Sequence, residues 1–245
     1  MKKHFILIFG LVLIFSCTSQ QVSQTVGVIN DTLNKGKPLT SSEVASGLKE
    51  ALVKGITSGV VQASATDGFL GNPKLKIPFP EDARKVENTL RDLGLGGEVD
   101  KFVTTLNRGA EEAAEKAKPI FVSAIKNMTI QDAFQILKGE DNAATEYLRR
   151  NTEAQLVDAF KPVMRNSLEQ VNATKYWSEL ITRYNRIPLV QKVDPELDSY
   201  ATQKAVDGLF VLIAQEEGKI REDPLARTTD LLKRVFGSPE AKQAE

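Results

Sequence analysis

Cysteine and histidine are all but missing from this chain of 245 residues, which holds one of each, Cys17 and His4, and a single tryptophan, Trp177. One cysteine cannot close a disulfide within the chain, so the fold must rest on its hydrophobic core. Beyond position 17 neither residue recurs, which removes Ser–His–Asp and Cys–His nucleophiles and the usual zinc ligand sets. An excess of basic charge is lacking too: 32 Lys and Arg stand against 32 Asp and Glu. That balance is not the footprint of a nucleic-acid binder. The apolar run Phe5 to Phe15 has 11 residues, broken by Gly10, well short of the roughly 20 that a spanning helix needs. No internal repeat is visible, and no alternating run is long enough to build a sheet.

What is there begins with Lys2 and Lys3, the apolar run, then Ile14-Phe15-Ser16-Cys17 and a polar stretch from Thr18. The three parts read as a signal peptide over residues 1–16. The tail of the run resembles the lipobox of bacterial lipoproteins, in which a small residue precedes an obligatory cysteine. The resemblance implies that Cys17 is acylated and becomes the new amino terminus, and anchoring by two or more acyl chains is stable. Thr18 and Ser19, rather than an aspartate, follow it, which by resemblance to sorting rules implies the outer membrane. Cleavage would remove His4 and leave the mature chain without histidine. It would also remove Lys2 and Lys3, leaving 30 basic residues against 32 acidic, a net of −2. Residues 18–39, rich in Ser, Thr, Gln, Asn and Gly, read with Cys17 as a lipidated tether over 17–39.

From position 40 the pattern is helical almost throughout. Thr40-Ser41-Ser42-Glu43 is a capping box, and Val44, Leu48, Leu52, Ile56 and Val60 make one apolar face to about Ser64. Gly55 and Gly59 on the same flank allow a neighbouring helix close approach. The stretch Asp67 to Pro80 holds two glycines and three prolines and excludes a helix. Its alternation of Leu75, Ile77 and Phe79 with Lys74, Lys76 and Pro78 predicts an extended strip with one face on the core. Pro80 suits the first turn of a helix ending at Gly94. Further helices are expected at about 98–116, 119–126, 130–137, 143–149, 153–171 (kinked or broken at Pro162), 175–184, 194–215, and from Asp223-Pro224 to Gly237. The expected fold is all-α: a multi-helix orthogonal bundle over 40–237, with one long irregular loop after its first long helix and a disordered tail at 238–245.

Several segments together resemble one bacterial family of exported proteins. They are Ala45-Ser46-Gly47-Leu48-Lys49-Glu50-Ala51-Leu52, Gly68-Phe69-Leu70-Gly71-Asn72-Pro73 on through Ile77-Pro78-Phe79-Pro80, Ala143 to Arg150, and Tyr200 to Phe210. The family is known only as a domain of unknown function, number forty-one ninety-seven. The resemblance implies a helical domain of the cell envelope and carries no activity and no catalytic residues with it.

Four constellations bear weighing. Loops on rigid helical scaffolds often carry binding, which makes Asp67, Phe69, Leu70, Asn72, Pro73 and Phe79 a candidate binding loop; the plainer alternative is a core-packed crossover between helices. Tyr200, Lys204 and Asp207 share one helical region and could do acid–base work if buried together; a structural ion pair with a packed phenol is the commoner outcome. Glu140-Asp141-Asn142 reads as a helix cap and Glu111-Glu112 as a solvated face, since no calcium-loop spacing is present. Tyr176, Trp177 and Tyr184 could line a groove, but their spacing suits packing. No catalytic residue, metal ligand or cofactor is assigned. The chain is expected to be an envelope lipoprotein presenting a helical binding or scaffold domain to the periplasm. Its partners are the membrane, through Cys17, and an envelope protein as a further candidate; nucleic acid is not among them. A carboxylate-based cell-wall glycan hydrolase and a carrier of lipid or another apolar ligand are the alternatives.

Overall fold

The computed structural model describes residues 39–237, apart from 171, 187–188, 190–191, 193–195, 224–226 and 228. The signal segment with Cys17, the tether up to residue 38, the tail from 238, Pro188, Pro195 and Pro224, and the side chains of Tyr176, Leu180 and Tyr184 lie outside the described residues. The folded unit begins at Thr40.

Among the described residues there are nine α-helices and no strand. In chain order they are α1 (Ser41–Ser64), α2 (Arg84–Asp92), α3 (Gly96–Ala114), α4 (Ala117–Asn127), α5 (Ile130–Leu137), α6 (Ala143–Glu169), α7 (Ala173–Tyr184), α8 (Leu197–Glu222) and α9 (Asp230–Phe236). A 3₁₀ turn, Glu81–Ala83, precedes α2. The protein is an all-α bundle.

Local chemistry sets the boundaries. Thr40 Oγ1 accepts from the Glu43 N–H and the Glu43 carboxylate accepts from the Thr40 N–H, the reciprocal bonds of a capping box. Thr129 and Asp132 repeat the device at α5. The chain leaves α2 through Gly94, whose φ of +80° is a left-handed value that glycine adopts without strain.

The core forms where α6, α8, α1 and α3 meet. Phe121 of α4 and Phe210 of α8 cross edge to face, 5.6 Å between centroids, and Leu48, Ile56, Leu106, Leu148, Leu156 and Phe160 are likewise fully buried. Each such side chain contributes about 2–3 kcal/mol by leaving water. The glycine flank of α1 does admit neighbours. A Cβ on Gly59 would lie 3.7 Å from Leu212 Cβ of α8, and one on Gly47 only 2.7 Å from Val235 Cγ2 of α9.

Three boundaries differ from expectation. The segments 143–149 and 153–171 are one helix of 27 residues that runs through Pro162. Pro162 is on the exposed side, so the carbonyl it deprives can be hydrated, while Leu156, Phe160, Met164 and Leu168 hold the other face in the core. Helix α8 continues past Gln215 and through Gly218 to Glu222, because Glu217 and Ile220 are buried on it. The last helix accordingly starts late, at Asp230, capped by the Thr229 hydroxyl.

Candidate functional site

The loop between α1 and α2 is held by three side chains in one stretch of α3. Asn107 is fully buried. Its Oδ1 accepts from the Ile77 N–H at 2.8 Å, and its Nδ2 donates to the Ile77 carbonyl at 2.9 Å and the Val103 carbonyl at 2.8 Å. The carboxamide thereby does for the extended strip what a neighbouring strand would do. One turn on, Glu111 Oε1 accepts from the N–H groups of Phe69 and Leu70, each at 3.1 Å. Its other oxygen takes Arg108 at 2.6 Å, and Arg108 also reaches Asp67 at 2.7 Å. Glu111 is therefore no solvated residue as expected: it is buried and satisfied by backbone and guanidinium, while Glu112 beside it is exposed.

The candidate loop residues divide. Phe69 is fully buried, its ring lying where a Cβ on Gly208 would come within 2.7 Å of it. Gly208 thus marks close packing of α8 against the loop. Asn72 turns the chain, accepting the Leu75 and Lys76 N–H groups on its carbonyl and the Lys74 N–H on its side chain. Pro73 is exposed and Leu70 half-buried. Leu75, Ile77 and Phe79 face the core, with Lys74, Lys76 and Pro78 outward. Phe79 joins Phe102 of α3 and Trp177 of α7 in an aromatic trio, with centroids 5.1 to 6.1 Å apart. Trp177 is thus a packing residue.

Tyr200, Lys204 and Asp207 are not one unit. The Tyr200 hydroxyl donates to the Pro78 carbonyl at 3.4 Å. Burial first, then the charges of Glu81 and Asp82, push its pKa up to about 12. Lys204 Nζ lies 5.9 Å from the centre of that ring. Asp207 turns instead to Arg149, at 3.0 Å, whose guanidinium lies 4.3 Å from the centre of the Phe210 ring.

Two further buried carboxylates escape a reading of the sequence. Glu217 of α8 accepts from the N–H groups of Ala144 and Thr145 and from the Thr145 hydroxyl. It caps the first turn of α6 from across the bundle, a role expected of Glu140-Asp141-Asn142; Asn142 makes no side-chain cap bond. Arg221 completes the group, bonding Glu217 and the Ile136 carbonyl at 2.9 Å. Asp198 is likewise paired with Arg165 at 2.7 Å. In sequence Glu217 and Arg221 look like an ordinary exposed i, i+4 pair, and no local signal separates them from one.

Along the outer edge of the strip runs a cleft of about 360 Å³. Leu70, Pro78, Phe79 and Val103 form its apolar part, and Lys76, Arg84, Glu87, Arg91 and Asp100 its charged wall. Arg91 is fixed there between Glu87 and Asp100, at 3.0 and 2.9 Å. Among the described residues there is no cluster of three potential metal ligands, and no helix long and apolar enough to cross a membrane.

Fold and site together define an all-helical domain built around a clamped, extended loop. Residues 38–237 match the family described as "Protein of unknown function (DUF4197)", and the chain belongs to that family. No curated protein and no solved structure matches the chain.

Proposed function

We propose that this is a lipoprotein of the bacterial envelope, held at the membrane by acylated Cys17, whose helical domain binds a segment of another envelope protein. The carrying observation is the clamp: Asn107 and Glu111 fix the strip beside the cleft from both ends, so the cleft is preformed rather than induced. Its make-up, an apolar floor with a wall of paired charges, is that of a small interface core with a polar rim. The binding reading is favoured over hydrolysis because Glu111, Glu217 and Asp198 are committed to backbone N–H groups and arginines. An acid–base catalyst needs a carboxyl free to exchange a proton with substrate. Among the described residues, the carrier reading would draw on the groove between α1 and α4, about 500 Å³ with Ile125 and Val53 among its lining, and that groove is open rather than enclosed. A photo-crosslinking residue at Lys76, on the cleft, tests the proposal in living cells. One discrete adduct is expected, absent when the crosslinker stands at Glu222 on the far end of α8. The same smear of abundant envelope proteins from both positions would count against a dedicated partner.

A further inference from the structure

The turn between α2 and α3 reads Leu93-Gly94-Leu95, and α3 opens on Gly96-Gly97. Leu93 is 70% exposed and Leu95 45%, an unusual pair of large apolar side chains within three residues. The backbone here is open to solvent: a Cβ on Gly94 or Gly97 would meet nothing within 4 Å beyond the adjoining chain. Helix α2 carries no buried residue, so it projects the turn from the bundle instead of packing it in. Val86 and Leu90, half-buried, lie one and two turns back along the same helix face and lead to the tip.

We infer that Leu93 and Leu95 dip into the surface of the lipid bilayer to which the chain is anchored. The inference rests on acylation of Cys17. Twenty-two residues, 18–39, separate Cys17 from Thr40, a span of at most about 75 Å, so the whole surface of the domain comes within reach of the membrane. Two leucines alone give weak, reversible partitioning, but a tether turns that into an intramolecular equilibrium at high effective concentration. Apolar side chains on a projecting turn are expensive in water and find their natural cover in lipid. Charge sharpens the choice of surface. Arg91 is paired with both Glu87 and Asp100, and with Asp92, Glu98 and Lys101 counted, the tip carries four acidic residues against two basic. The tip therefore has no basic collar for anionic headgroups, and its contact is with the apolar interior of a zwitterionic bilayer.

The test uses the full chain, processed in a bacterial envelope, purified in detergent and reconstituted into phosphatidylcholine–phosphatidylethanolamine vesicles. Leu93→Cys is labelled with an environment-sensitive thiol fluorophore; an acylated Cys17 leaves it the sole thiol. Gln203→Cys, on an exposed stretch of α8, is the reference. Expected are a blue-shifted emission at 93 and quenching by headgroup-proximal nitroxide lipids several-fold stronger than at 203. Leu95→Asp in the same chain should reduce that quenching, and added anionic lipid should not raise it. Equal quenching at the two positions in acylated protein overturns the tip contact alone. A blue shift without nitroxide quenching overturns it in favour of a protein occupant, such as a second copy. An intact mass without acyl chains overturns the anchor, and the tip contact with it.

Discussion

Asn107 illustrates how much one side chain does here. Its carboxamide serves both the N–H and the carbonyl of Ile77 in a site closed to water. Asn107→Leu keeps the volume and orphans both groups, at a cost of about 2–4 kcal/mol. Urea unfolding followed by Trp177, the only tryptophan and a neighbour of Phe79 in the aromatic trio, measures that loss directly. A loss under about 1 kcal/mol would mean that the loop does not depend on the clamp. Tyr200 offers a second residue-level check. Its phenol titrates near 10.0 in an unfolded chain and at about 12 in the fold. The folded state holds the proton more tightly, so this contribution to stability is complete below pH 10 and is lost as pH rises towards about 12. Tyr200→Phe should flatten the fall in stability across that interval, read from denaturation midpoints; an unchanged slope would contradict the assignment. Little of this is legible in sequence. The inward set Leu75, Ile77 and Phe79 can be read from alternation. Asn107, Glu111 and Glu217 cannot, because a polar residue on a helix looks the same whether it meets water or a distant stretch of backbone.

At the scale of elements, the helices opened by a reciprocal capping box stand where the sequence places them. The boxes at Thr40 and Thr129 and the left-handed Gly94 are complete within a few residues, so no distant contact can move them. Boundaries set by tertiary packing could not be read the same way. Pro162 and Gly218 are breakers by local rule, yet α6 and α8 pass through them because the opposite faces are buried along their whole length. Helix α2 is the reverse case, with full helical geometry and no buried residue. Local opening follows buried area, so hydrogen exchange should release the α2 amides ahead of those of α6 and α8. Protection of α2 equal to that of α6 would show that something covers this helix which the isolated domain does not contain.

For the molecule as a whole, the family covers 38–237 and leaves the chemistry of the first 37 residues to be argued separately. The described domain pairs its buried carboxylates within the fold and presents a preformed cleft and an exposed apolar turn at its surface. If Cys17 is acylated, the membrane lies within the reach of this domain. The intact mass of the chain extracted from bacterial membranes therefore bears most directly on the account. The expected species begins at Cys17 and carries acyl chains, and a Cys17→Ala variant is expected to leave the membrane fraction. A chain that retains residues 1–16, or one with an unmodified Cys17, would contradict it.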